Sequence, residues 1–364
     1  MRTLLSNIKK WFSNSGAKLP KDLEGLEKIE TIFQSLAVDE SIPGMGVAVF
    51  KKGRQLLQKG YGHANLERKL AVAPERTLFR IASISKCITG LALAKMVEEG
   101  LLTLDDSFQK HVTYFPNKEF DFTLRQLAGH TAGIRGYRGK EFALNKELSI
   151  RDSLQIFQDD PLQFEPGKGY LYNSFDYVLL SLAMQEASGI SFEDYVQNKV
   201  LEPLGMIHTL SPAQVRGNPN FLASQKLQMA EFYTKTRSGF KQATPVNNQY
   251  KLAGGGYLST VSDMGKLGQA ILEGKLVSTG LLKEVLTAQK VIGDSTYYGL
   301  GFQVSQDAQG RPFVGHVGNS VGAYSNLFVY PEEEIVFACL INCTDPKVQG
   351  QLDSLLEFLH TNVI

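Results

Sequence analysis

Ser83 and Lys86, three residues apart in "RIASISKCITGLALAKMVEEG", are the residues of this sequence best placed to do chemistry. From Ile81 to Ala94, Lys86 is the one ionisable group besides the Cys87 thiol. Ile84, Cys87, Ile88 and Leu91 recur at helical spacing, and the positions around them are apolar too, so the segment predicts a buried helix. Ser83 and Lys86, three apart, fall on a shared face and can touch. A buried ammonium loses hydration, which lowers its pKa and makes it a base at neutral pH. A serine hydroxyl becomes a nucleophile once such a base takes its proton. The helix N-terminus adds N–H groups and positive dipole for an oxyanion. Gly90, one turn beyond Lys86, is expected to leave room above the ammonium.

Ser-x-x-Lys by itself carries little information. It occurs five times, beginning at Ser6, Ser15, Ser83, Ser107 and Ser238. Only "SISK" opens a long apolar helix. Taken alone, the pair also fits a plainer arrangement, with Ser83 capping the helix and Lys86 snorkelling to solvent. The rest of the chain has to decide.

The elements that would position the pair come from both ends of the sequence. Leu23 to Val38 has helical spacing of apolar residues. Met45–Lys51 and Gln55–Tyr61 read as strands joined by a Lys-Gly turn. "SFDYVLLSLAMQEASG" ends at Gly189 as helices commonly do; "SFEDYVQNKVLEPLGM" opens on a Ser-x-x-Asp cap; "TVSDMGKLGQAILEG" is a further helix. Strand character returns in "YGLGFQVSQDAQGRPFVGHVG" and "YSNLFVYPEEEIVFACLIN", with "DAQG" and "YPEEE" as turns, and Lys347 to Leu359 closes as a helix. The expected architecture is a mixed α/β fold of the α+β type: an antiparallel sheet flanked by N- and C-terminal helices, plus a mostly helical lobe. The expected units are a flexible tail at 1–20, a sheet domain of 21–82 with 270–364, and a helical domain of 83–269. A cleft between two such lobes is a usual place for a site.

Composition excludes more than it names. The 364 residues carry 38 Lys plus Arg against 37 Asp plus Glu, so no field is expected to draw nucleic acid or an anionic membrane. No stretch approaches a membrane span of roughly 18 apolar residues. The N-terminus lacks the apolar run of a signal peptide, which favours the cytoplasm and leaves the periplasm open. Three unpaired-looking cysteines, scattered histidines and the lack of HExxH or CxxC argue against a metal site. No metal or organic cofactor is expected; the expected partner is a small-molecule or peptide substrate, and the sequence sets no oligomeric state.

"SISK" in this setting resembles the serine β-lactamase and penicillin-binding-protein superfamily, whose pattern is S-x-x-K followed by SDN and KTG elements. The resemblance is nearer to the class C β-lactamase (peptidase family S12) and family VIII esterase branch. It runs from about Pro43 to Asn342 through "PGMGVAVFKKG", "LAGHTAGI", "FEPGKGYLYNSFDYVLL", "PLGM", "AGGGYLSTVSDM", "YGLGF" and "GHVGNSVG", in the family's order. "HTAGIRGY", "DDPLQFEPG" and "SISK" look nearer still to mitochondrial β-lactamase-like serine peptidases and their bacterial relatives. The resemblance implies Ser83 as nucleophile, Lys86 as its proton acceptor and Tyr172 as a proton shuttle. Tyr170 and Tyr177 would be packing neighbours of Tyr172. His316 would fill the third motif, Gly318 would let the strand approach the substrate backbone, and the N–H of Asn319 would join that of Ser83 in an oxyanion hole. Ser174 stands where class C enzymes usually have asparagine, so a β-lactam amide would be gripped less firmly, and a peptide or ester is favoured. His130 in "GHTAG" is read as a structural part of the pattern.

Two rival readings remain. "GNSVG" satisfies G-x-S-x-G, the nucleophile elbow of α/β-hydrolases, with Ser320 as nucleophile; the strand-like sequence after it and the lack of alternating βα units upstream speak against that. The other rival is a penicillin-recognising binding or sensor module of weak catalytic power, against which the joint presence of Ser83, Lys86 and Tyr172 argues.

Overall fold

The computed structural model describes residues 26–39, 41–217 and 220–362; the tail expected at 1–20 lies outside the described residues. Helix α1 (Leu26–Val38) precedes strands β1 (Gly44–Lys51) and β2 (Arg54–Asn65), and a short β3 (Leu70–Ala71) follows. Lys52 and Gly53 both take positive φ in the turn between β1 and β2, the geometry that keeps a two-residue hairpin in step with strand twist. The chain then leaves the sheet and returns as β4 (Gln303–Gln306), β5 (Pro312–Ser320), β6 (Ala323–Tyr330) and β7 (Ile335–Ile341). The seven strands form one antiparallel sheet in the order β4-β5-β6-β7-β1-β2-β3. Met45 pairs with Ile341, so the two ends of the chain meet at the sheet's centre.

Both faces of this sheet are covered, which is why β1 and β7 read as apolar runs instead of alternating. Met45, Val47 and Val49 of β1 and Phe337, Cys339 and Ile341 of β7 share a buried cluster with Ile29, Phe33 and Leu36 of α1. Leu352, Leu355 and Leu359 of the last helix join the same cluster. Ala48, Val336, Ala338 and Leu340 point the other way, into the larger core of the helical lobe. The helix Val261–Glu273 lies on that second face against β1, β6 and β7. It spans position 270, where the sequence placed the return to the sheet domain.

In the helical lobe, α2 (Ser85–Glu98) is buried on almost every side. It packs against α3 (Phe175–Ser188) and the segment Leu252–Gly256. Gly189 ends α3 in the left-handed conformation, and Ser191 caps the next helix by accepting from the N–H of Asp194. The lobe also holds strands too short for a sequence signal: Thr77–Arg80 pairs with Leu258–Ser259 and with Gln228–Met229. Among the described residues, no helix is long and apolar enough to cross a membrane.

Candidate active site

Ser83 sits in a single 3-10 turn, Ala82–Ile84, immediately before α2. Ile84, not Ser83, is the residue that flanks the helix, and no side chain caps it. The plainer arrangement of a capping serine is therefore not what forms. Ala82 is held at a φ of 46°, a conformation unfavourable for a residue with a Cβ and typical of functional turns. The hydroxyl of Ser325 on β6 donates to the carbonyl of Ile81 at 2.8 Å and ties this turn to the sheet.

Lys86 does not snorkel. Its side chain is fully buried, and Nζ donates to the carbonyl of Gly254 at 2.6 Å while lying 3.2 Å from Ser83 Oγ. Burial lowers its pKa to about 7, against smaller opposing effects of Cys87 and Asp176. Among the described residues no carboxylate bonds to the nitrogen, so desolvation wins over ion pairing. The hydroxyl of Tyr172, at the start of the segment leading into α3, donates to Ser83 Oγ at 2.7 Å. Lys86 Nζ lies 4.8 Å from the Tyr172 ring centre and 5.3 Å from that of Tyr177. Tyr172 is exposed to the cleft, and desolvation by the surrounding protein raises its phenol pKa. Hydroxyl, amine and phenol thus form one continuous hydrogen-bonded chain.

His316 on β5 is buried behind this group. Its Nδ1–H donates to the carbonyl of Val317 at 2.6 Å, which leaves Nε2 to accept from the Tyr298 hydroxyl at 3.0 Å. Burial, with the neighbouring Lys86, lowers its pKa to about 3. His316 is therefore a neutral imidazole, not a cation. Asn319 borders the cleft, as does Ser83, whereas Ser174 lies at the foot of α3 beside Gly254 and Gly255.

Two glycines meet neighbours that the sequence did not name. A Cβ on Gly318 would lie 2.2 Å from Ser325 Oγ and 2.8 Å from the carbonyl of Ile81. The close approach it permits within the protein is that of β5 to the Ala82–Ile84 turn. A Cβ on Gly90 would lie 2.1 Å from the carbonyl of Leu300. That glycine seats the segment before β4 on α2 and leaves no open space above the ammonium.

Three further residues enter the site that the sequence reading passed over. Tyr298, in the "YGLGF" segment, orients His316. Asp176 Oδ2 accepts from Asn173 Nδ2 and shares a hydrogen bond with His130 Nδ1, each at 2.7 Å. His130 packs its ring 4.6 Å from that of Tyr172 and is fully enclosed, as a structural part would be. Lys251 lies within a small cavity beside Ser83, donating to the carbonyl of Phe142 at 2.8 Å. The only signal for it was a lysine just before "AGGG", which looks like any surface lysine. Tyr177 is a buried packing neighbour as expected, donating to the carbonyl of Ala128, but Tyr170 lines the open cleft. Ser320 ends β5 and turns through Gly322 into β6, a strand-turn-strand path that cannot make a nucleophile elbow.

Comparison with known proteins agrees with this fold. The family model described as Beta-lactamase matches residues 29–362. The human serine beta-lactamase-like protein LACTB, mitochondrial, is 30% identical over 405 residues, covering 85% of this chain and 72% of that protein. Among solved structures, the octameric penicillin-binding protein homologue from Pyrococcus abyssi is similar with a TM-score of 0.77 and 26% identity, covering 92% of this chain and 77% of that one. D-amino acid amidase from Ochrobactrum anthropi SV3 shares the fold with a TM-score of 0.78 at 18% identity, covering 91% of this chain and 99% of its own. The chain belongs to the beta-lactamase family of serine hydrolase-like proteins.

Proposed function

We propose that this protein is a serine hydrolase that works through an acyl-enzyme on a peptide or ester carbonyl. The observation that carries the reading is the hydrogen-bonded chain from Tyr172 Oη through Ser83 Oγ to the buried Lys86 Nζ. Lys86, donating to Gly254 and lowered in pKa to about 7, has a lone pair for the Ser83 proton near neutrality. As that proton leaves, Ser83 Oγ bonds to the substrate carbonyl carbon, and the oxyanion is met by the N–H groups of Ser83 and Asn319. The tetrahedral intermediate then breaks its bond to the leaving group, which takes the proton of Tyr172, and Lys86 returns its proton to the phenol. Water repeats the sequence in reverse: the same relay takes its proton and restores the Ser83 hydroxyl. No metal or organic cofactor enters this scheme.

A peptide or ester is favoured over a β-lactam because Ser174 offers a short hydroxyl where an amide side chain would hold the β-lactam's own amide. Nitrocefin, p-nitrophenyl butyrate, D-Ala-D-Ala peptides and short aspartyl peptides, assayed side by side on the wild type and Ser83→Ala, test the reading. Ester or peptide turnover that vanishes in Ser83→Ala supports it. Binding without turnover of any of the four returns the protein to the sensor class, and fast nitrocefin hydrolysis removes the discount placed on Ser174.

A further inference from the structure

We infer that the leaving-group side of the Ser83 site takes an uncharged leaving group and rejects one that carries a carboxylate. This rests on the acyl-enzyme reading above. Two cavities meet at Ser83 and Asn319, one of about 590 Å³ and one of about 80 Å³. Tyr172 and His316 border only the larger. Since Tyr172 hands its proton to the departing atom, the larger cavity is the leaving-group side and the smaller one, with Ser174 and Lys251, is the acyl side.

His316 and Asn319 are the polar side chains that β5 presents on that side, and His316 has nothing to offer an anion. Nδ1–H is spent on the carbonyl of Val317, Nε2 accepts from Tyr298, and burial keeps the ring neutral at ordinary pH. The hydrogen of Tyr298 is spent on the same bond. Tyr170, Tyr297 and Phe313 supply aromatic wall, and among the described residues lining the cavity none is charged. A carboxylate moved there would exchange part of its water for a wall that holds no cation, which is costly in proportion to the water lost. An aromatic or peptide-backbone group would bury apolar surface against the rings instead. Esters, amides and internal peptide bonds therefore fit, whereas a C-terminal dipeptide or the ring carboxylate of a β-lactam does not.

The test uses two esters of phenylacetylglycine that differ only in the leaving phenol, m-hydroxybenzamide or m-hydroxybenzoate. The expected kcat/KM favours the benzamide by about tenfold or more, well short of the discrimination of a fully closed site because the cleft is open. Ser305→Arg, which adds a cation to the cavity wall, should narrow that ratio. Labelling of Ser83 by a fluorophosphonate reports whether each protein is intact; where the variant is not labelled, the wild-type ratio decides alone. A benzoate ester cleaved as fast as the benzamide, a ratio unmoved in a labelled Ser305→Arg, or two inert esters on a labelled wild type would overturn the inference. A wild type in which Ser83 is not labelled overturns the acyl-enzyme reading itself, and this inference with it.

Discussion

The phenol oxygen of Tyr172 lies 2.7 Å from the hydroxyl of Ser83, although 89 positions separate them in the chain. The contact joins the turn before α2 to the segment entering α3, and both are anchored by buried packing. Removing only the phenol oxygen leaves that packing in place. Tyr172→Phe should lower kcat for ester hydrolysis by roughly 10²–10⁴-fold while leaving the thermal midpoint nearly unchanged. Parallel kinetics and calorimetry check this; near-wild-type turnover would take Tyr172 out of the relay.

The pH profile follows from the amine. Lys86 acts as a base only when unprotonated, and its pKa is lowered to about 7 by burial. The profile of kcat/KM should rise with pH through about 7 and then level off. Tyr172, raised by desolvation, keeps its proton well beyond that point, so no early alkaline fall is expected. A rate that declines as pH rises through 7 would contradict a neutral-lysine base.

The same burial makes Lys86 a liability for folding. In the unfolded chain its pKa returns to about 10.5, so between pH 7 and 10.5 the unfolded state binds a proton that the folded state does not. Wild-type stability therefore rises with pH across that window, and the cost of the buried amine is greatest below it. Lys86→Met should abolish acylation yet match or exceed the wild type in urea unfolding at neutral pH, by up to a few kcal/mol. The gap should close toward pH 10. Lys251, also lowered by burial, is present in both proteins. A less stable Lys86→Met at every pH would show that the ammonium is stabilised in the fold.

Gly90→Ala would drive a methyl against the carbonyl of Leu300, a backbone atom that cannot rotate away. We expect a loss of roughly 1–3 kcal/mol. Gly280→Ala, in the helix Thr279–Val285 with nothing within 4 Å, should gain a few tenths. Equal effects of the two in denaturant titrations would mean that the seat of Leu300 on α2 is looser than described.

The sheet and the long helices were legible because their apolar periods are local. So was the burial of Lys86, since a lone ammonium in an apolar helix needs no partner to be noticed. What escaped the sequence is relational. Gly90 and Gly318 did not name their neighbours, which are the carbonyl of Leu300 for one and the Ser325 hydroxyl with the carbonyl of Ile81 for the other. Tyr298 and Asp176 acquire meaning only beside His316 and His130, and Lys251 only once Phe142 is brought to it. The two- to four-residue strands of the helical lobe are too short to show a period of two.

Ser83 Oγ is the atom that the proposed reaction acylates. Mass spectrometry of tryptic peptides after brief exposure to a fluorophosphonate at about pH 8 reads this directly. The account predicts one adduct, on the peptide containing Ser83, that is lost in Ser83→Ala, strongly slowed in Lys86→Met and retained in Ser320→Ala. An adduct that survives Ser83→Ala, or one that moves to Ser320, would contradict it.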